Sequence, residues 1–148
     1  MEILTTVSVD ETPNEAVGSI GGEYVYTANV ADNSVSVIDT EEWEEIKRIS
    51  AGEGTHGIDV SPDGQYVWTA NRESNDLSII DIDTREVTET VDIGESANHV
   101  ALTPDGSAAY VTAGRADEVV IIDSRTFELT GRIDVGEEPH EITFTETV

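Results

Sequence analysis

Apolar and polar positions alternate along this chain in short runs, and clusters of Gly, Pro, Asp, Asn, Ser and Thr divide the runs. In HGIDVS (56–61) the alternation sets Ile58 and Val60 on one face. A Ser-Pro-Asp-Gly corner follows, in which proline supplies φ near −65° and glycine closes the turn. Beyond it, QYVWTAN (65–71) is a second strand and NRESND (71–76) a polar loop. LSIIDID (77–83) is a β-branched run, DTRE (83–86) turns the chain, and VTETVDIG (87–94) places Val87, Val91 and Ile93 at its apolar positions. Four strands joined by tight turns predict an antiparallel meander.

The same order returns at a step of 42 residues, which relates Asn29 to Asn71, Asp39 to Asp81 and Asp123, and Gly52 to Gly94 and Gly136. That step also relates Pro62 to Pro104, Gly22 to Gly64 and Gly106, and His56 to Asn98 and His140. One segment reads differently on its own. DTEEWEEIKRI (39–49) opens on an Asp or Thr cap with early acids and spaces Trp43 and Ile46 as a helix would. Its counterparts TREVTETVDI (84–93) and SRTFELTGRIDV (124–135) are strand-like, and equivalent positions of a repeat share one backbone, so strand is expected there too.

A period near 42 with four strands per unit predicts an all-β fold of β-propeller blades, each a four-stranded antiparallel meander. The expected layout is a single partial domain, 1–148, with repeats at approximately 14–51, 56–93 and 98–135 and single strands over 2–10 and 140–145. YVYTAN (24–29), YVWTAN (66–71), YVTA (110–113), the VSPDG and LTPDG corners and the Ile-Asp strand ends resemble the YVTN family of propeller repeats. Departures are Ala113 in place of asparagine and SIGG (19–22) in place of a Pro-Asp-Gly corner. The resemblance implies a closed seven-bladed ring and an extracellular or cell-surface setting, although the chain shows no signal peptide. Three units and about half of a fourth do not close such a ring. The expected partners are therefore a protein, further copies of this chain as a homo-oligomer, or additional blades of a longer chain.

Charge narrows the partners further. Asp and Glu total 32 against 7 Lys and Arg, for a net charge of −25, and the acids are spread through every segment. Such a field repels phosphate backbones and anionic membranes, which argues against nucleic acid. No apolar run is long enough for membrane insertion. Scattered acids suit solubility in concentrated salt, and the composition resembles that of halophilic archaeal proteins. Cysteine is absent, which excludes disulfides and thiol chemistry within the chain.

The turn entering each innermost strand of a propeller faces the central channel, and it carries Asn14, His56, Asn98 and His140 at equivalent positions, with His99 adjacent. Converging imidazoles are ligands for copper, zinc or haem iron, which makes His56, His99 and His140 the metal candidates. The simpler expectation is that each bonds a neighbouring turn. GEGTHG (52–57) fits G-x-G-x-x-G, but a strand rather than a helix is predicted to follow, so no dinucleotide site is expected. Asp39, Asp81 and Asp123 read as turn caps, Asn29 and Asn71 as donors to local backbone, and Trp68 as packing between blades. No catalytic residue is marked, because the chain lacks a Gly-x-Ser-x-Gly elbow and a cysteine. The leading expectation is a non-catalytic binding or scaffold module without a cofactor. The alternative is a metal- or cofactor-dependent propeller enzyme, oxidoreductase or lactonase-like, with its site at the histidine turns.

Overall fold

The repeat becomes three four-stranded antiparallel sheets in the computed structural model, which describes residues 2–144. The first blade holds β1 (Pro13–Gly18), β2 (Tyr24–Asn29), β3 (Ser34–Asp39) and β4 (Glu44–Ser50). The second holds β5 (Thr55–Val60), β6 (Tyr66–Asn71), β7 (Asp76–Asp81) and β8 (Glu86–Asp92). The third holds β9 (Ala97–Leu102), β10 (Ala108–Ala113), β11 (Glu118–Asp123) and β12 (Leu129–Asp134). Within every sheet the strands lie in sequence order, as a meander requires. β1 packs beside β5 and β5 beside β9, so the first strand of each blade lies at a common hub and the fourth lies at the rim. This is a propeller arrangement with open sheets.

Period-two alternation produces the stacking. In the second blade Val67 and Ile80 face the first blade, joining Tyr26, Val35 and Val37, while Trp68, Leu77 and Ile79 face Val100, Val111 and Val120 of the third. Trp68 is wholly buried between blades and lies 5.7 Å from Phe127, ring centre to ring centre. Burying side chains of this size contributes about 1.5–3 kcal/mol each.

The segment with helical character forms a tight turn into a strand, as its counterparts do. Asp39 Oδ1 accepts the N–H groups of Glu41 and Glu42 at 2.8 and 3.0 Å, and the Trp43 N–H donates to Asp39 O at 3.0 Å. Trp43 then adopts φ 56°, which ends the turn, and β4 begins at Glu44. Arg85 and Phe127 repeat this conformation at φ 56° and 58° in the other blades. Asp81 and Asp123 supply the same cap, accepting from Thr84, and from Arg125 and Thr126.

The strands expected over 2–10 and 140–145 are not formed among the described residues: 2–9 and 139–144 carry no strand, and position 145 lies outside them. An extended segment becomes a strand only where a neighbouring backbone pairs with its N–H and C=O groups. Side chains tie the N-terminal segment down instead, with Asp10 accepting from Ser34 Oγ at 2.7 Å and pairing with Arg48. Among the described residues no helix is long and apolar enough to cross a membrane.

Candidate metal centre at the propeller hub

Each innermost strand opens with a bulge. Asn14 is the extra residue between the pairs Pro13–Asn29 and Glu15–Ala28, and His56 is the extra residue between Thr55–Asn71 and Gly57–Ala70. In the third blade Asn98 and His99 together stand opposite Thr112, between the pairs Ala97–Ala113 and Val100–Val111. A bulge bends its strand and re-aims one side chain. Here it recurs where the repeat places Asn or His.

Those re-aimed side chains bond the blades together. Asn14 Nδ2 donates to His56 O at 3.3 Å, His56 Nδ1 lies 3.2 Å from Asn98 O, and Asn98 Nδ2 donates to Pro139 O at 3.0 Å. A second set uses carboxylates. Glu15 Oε2 accepts the Ile58 N–H at 2.9 Å, and Asp59 Oδ2 accepts the Leu102 N–H at 2.8 Å. The bonds to His56, Ile58, Asn98 and Leu102 reach the next innermost strand and fix each blade to its neighbour at the hub, while the bond to Pro139 holds the segment after β12.

The three imidazoles converge there. His56 and His99 lie 4.9 Å apart between ring centres, His99 and His140 4.8 Å, and His56 and His140 5.2 Å. One ring nitrogen from each lies within 4.8 Å of the other two. β5 carries His56 and β9 carries His99, both buried; His140, in the segment after β12, is exposed. That segment is held by Thr112 Oγ1, which donates to His140 O at 2.7 Å.

The polar neighbours of the His56 ring meet it at Nδ1: Asn98 O, which can only accept, at 3.2 Å and Asn14 Nδ2, which can only donate, at 3.3 Å. Burial depresses the His56 pKa, the nearby His99 and His140 add to the depression, and the ring is neutral at neutral pH. His99 Nδ1 lies 3.1 Å from Glu15 Oε2, while its Nε2 is buried with no hydrogen-bond partner. Burial raises the Glu15 pKa, but the hydrogen bonds from His99 and the Ile58 N–H, with the nearby imidazoles, outweigh it and leave the carboxyl below its ordinary value. A carboxylate on one nitrogen of a buried imidazole whose other nitrogen lacks a partner is the arrangement that orients metal-ligating histidines.

Glu15 was not among the expected site residues. It stands two repeat steps before His99, with Gly57 between them, and that step is its signal. Gly57 is what lets strands β5 and β9 approach: a Cβ there would meet His99 Cα at 2.5 Å. The other readings resolve as follows. Asn71 Nδ2 donates to Asp76 Oδ1 at 2.7 Å and Ser78 Oγ at 2.9 Å, and Asn29 Nδ2 to Ser34 and Ser36 Oγ, so both bond side chains of the next strand rather than local backbone. GEGTHG runs from a turn into β5, without the helix a pyrophosphate would need. A cavity of about 450 Å³, lined by Pro62, Tyr66, Trp68, Leu102 and Phe127, lies between the second and third blades.

Solved structures carry the same fold. Over 93% of this chain and 40% of theirs, the match to Kuenenia stuttgartiensis hydrazine synthase has a TM-score of 0.82 at 22% identity. The dihydro-heme d1 dehydrogenase NirN, in complex with DHE, matches with a TM-score of 0.78 at 22% identity, over 93% of this chain and 32% of its own. Apo AztD from Citrobacter koseri matches with a TM-score of 0.76 at 18% identity, over 92% and 38%. The chain thus spans well under two thirds of the structures it resembles, and at these identities the likeness establishes the propeller fold. No curated protein matches by sequence.

The family model described as Cytochrome D1 heme domain matches residues 18–143. This corrects the expectation that no cofactor is involved, because the family points to a haem-related ligand. The residues present fit such a group at one atom: haem iron takes an imidazole nitrogen as axial ligand, and His99 Nε2 is a buried nitrogen without a partner, on a ring oriented by Glu15. The YVTN-like strand motifs describe the blades of this fold, but the matching model spans far more than half of the chain, and the chain belongs to the Cytochrome D1 heme domain family.

Proposed function

We propose that this chain forms part of a cofactor-dependent propeller of oxidoreductase type, with a haem-related group held at the hub by His99. The observation that carries the reading is His99 itself, whose Nδ1 lies against Glu15 and whose Nε2 is buried without a partner. The scaffold reading favoured by the sequence has no use for that unpaired nitrogen, whereas an iron ligand does. When bound, the group would supply redox chemistry or ligand activation at iron. The chain's own contribution is to orient the ring: the Glu15 carboxylate holds the imidazole at Nδ1, and the Thr112 hydroxyl, which accepts the backbone N–H of His99 at 3.0 Å, holds the strand that carries it. Further blades, from a longer chain or another copy, complete the channel around the group. The spread of acids supports solubility in concentrated salt, and the reading places the protein outside the membrane.

Haemin added to the purified protein tests this reading. The expected result is a saturable Soret shift at one haemin per chain, with affinity reduced at least tenfold in His99→Ala. Equal binding by wild type and His99→Ala, or no saturable binding, would overturn the assignment.

A further inference from the structure

The hub offers more nitrogen than a haem can use. A macrocycle fills four positions around its iron, and the two axial positions lie on opposite faces, so one face accepts one imidazole. Three imidazoles whose ring nitrogens lie within 4.8 Å of one another form a different kind of donor set. We infer that His56, His99 and His140 together form a site for a bare first-row divalent ion of the zinc or copper class, bound by three protein nitrogens with a fourth position open. The inference rests on the reading of the hub as metal-ligating and concerns the ion that the three nitrogens take when no haem-related group occupies His99 Nε2.

Three observations support it independently of the family. The first is position: the side chain and carbonyl that bond the His56 ring, Asn14 Nδ2 at 3.3 Å and Asn98 O at 3.2 Å, both meet it at Nδ1, which leaves Nε2 to ligate. The second is the unpartnered, buried Nε2 of His99, a polar atom that costs stability unless something binds it. The third is the carboxylate of Glu15 on His99 Nδ1, the outer partner that raises the basicity of a ligating imidazole. Tetrahedral zinc holds its nitrogen ligands about 3.4 Å apart at Zn–N distances of about 2.0–2.1 Å. The approach required from 4.8 Å is about 1.4 Å at most, shared between rotation of the buried rings and movement of the exposed His140, in a segment without regular structure. Imidazole donors suit zinc and copper rather than calcium or magnesium. Closed structural zinc sites have four protein ligands, and sites with three keep a position for water or substrate.

The repeat supplies the variants for a test. Asparagine occupies positions 14 and 98, equivalent to 56 and 140, and donates the inter-blade bond there, so His56→Asn and His140→Asn remove a ligand and keep the packing. Zn(II) is titrated calorimetrically into the chelator-treated protein, and Co(II) absorbance reports the coordination number. Expected are one ion per chain, a four-coordinate Co(II) spectrum, and affinity at least tenfold lower in either variant. Glu15→Gln, which alters only the outer partner, should lower it about tenfold. Binding of several weak ions without dependence on His56 and His140 would mean that the acidic surface alone collects cations, and would overturn the site. If haemin binds through His99 and Zn(II) does not bind, this inference falls and the proposed function stands. Should neither bind, both fall. Circular dichroism of each variant separates loss of a ligand from loss of the fold.

Discussion

Strands β9 and β12 belong to one sheet and one repeat, yet they have opposite fates. β9 is buried at every position, whereas β12 is exposed at all but one. The difference is geometric. Neighbouring sheets meet closely at their first strands and diverge toward the fourth, so the same backbone meets protein at the hub and solvent at the rim. Close approach at the hub demands small residues, bulges and bonded polar groups. The rim accepts almost any polar side chain, and much of the acid content sits there, as in Glu44, Glu45, Glu86 and Glu89. Chemistry that needs fixed geometry therefore belongs at the hub.

Glycine substitution at the two places should break this comparison open. Gly57→Ala puts a Cβ against the His99 backbone at 2.5 Å, where neither strand can yield. The expected cost is about 3 kcal/mol, the upper range for overpacking, read as a lowered urea midpoint at unchanged slope. The Glu15–His99 contact should separate with it. Asn71→Ala is next in size. It strands Asp76, Ser78 and Thr55 in the buried end of the second blade and should cost about 2 kcal/mol by the same measurement. At the rim the sign reverses. Gly131 lies on β12 without a positive φ, and an added Cβ would meet only Ile121, at 3.5 Å. Gly131→Ala should stabilise by about 0.4–1 kcal/mol through reduced freedom of the unfolded chain. If Gly57→Ala and Gly131→Ala shifted the midpoint equally, the hub would not be the tightly packed end.

The propeller itself was legible because burial writes a period-two pattern into every strand and stacking repeats that pattern every 42 residues. The histidine turns were legible as positions for the same reason. Other features were not. Glu15 was passed over because the repeat step that joins it to Gly57 and His99 connects three unlike residues, and likeness is what reveals a repeat. The bulges left no mark in composition, since one extra residue shifts which side chain turns inward without changing residue type. The segment at 39–49 looked helical from its acids and the spacing of Trp43 and Ile46, yet it makes the same tight turn as the other two blades, ended at Trp43 by a left-handed backbone conformation that local propensity does not announce. The link to a haem-related ligand depended on the whole-chain family match, for which no short motif stands in.

The chain of bonds from Asn14 to His56, Asn98 and Pro139 has an evolutionary side. An amide and an imidazole perform the same mechanical task there, setting one nitrogen against a carbonyl further round the hub. Exchanging one for the other leaves the architecture intact but adds or withdraws a nitrogen lone pair on the axis. A lineage could thus dial the coordinating power of its central channel one blade at a time, by single substitutions that folding hardly notices.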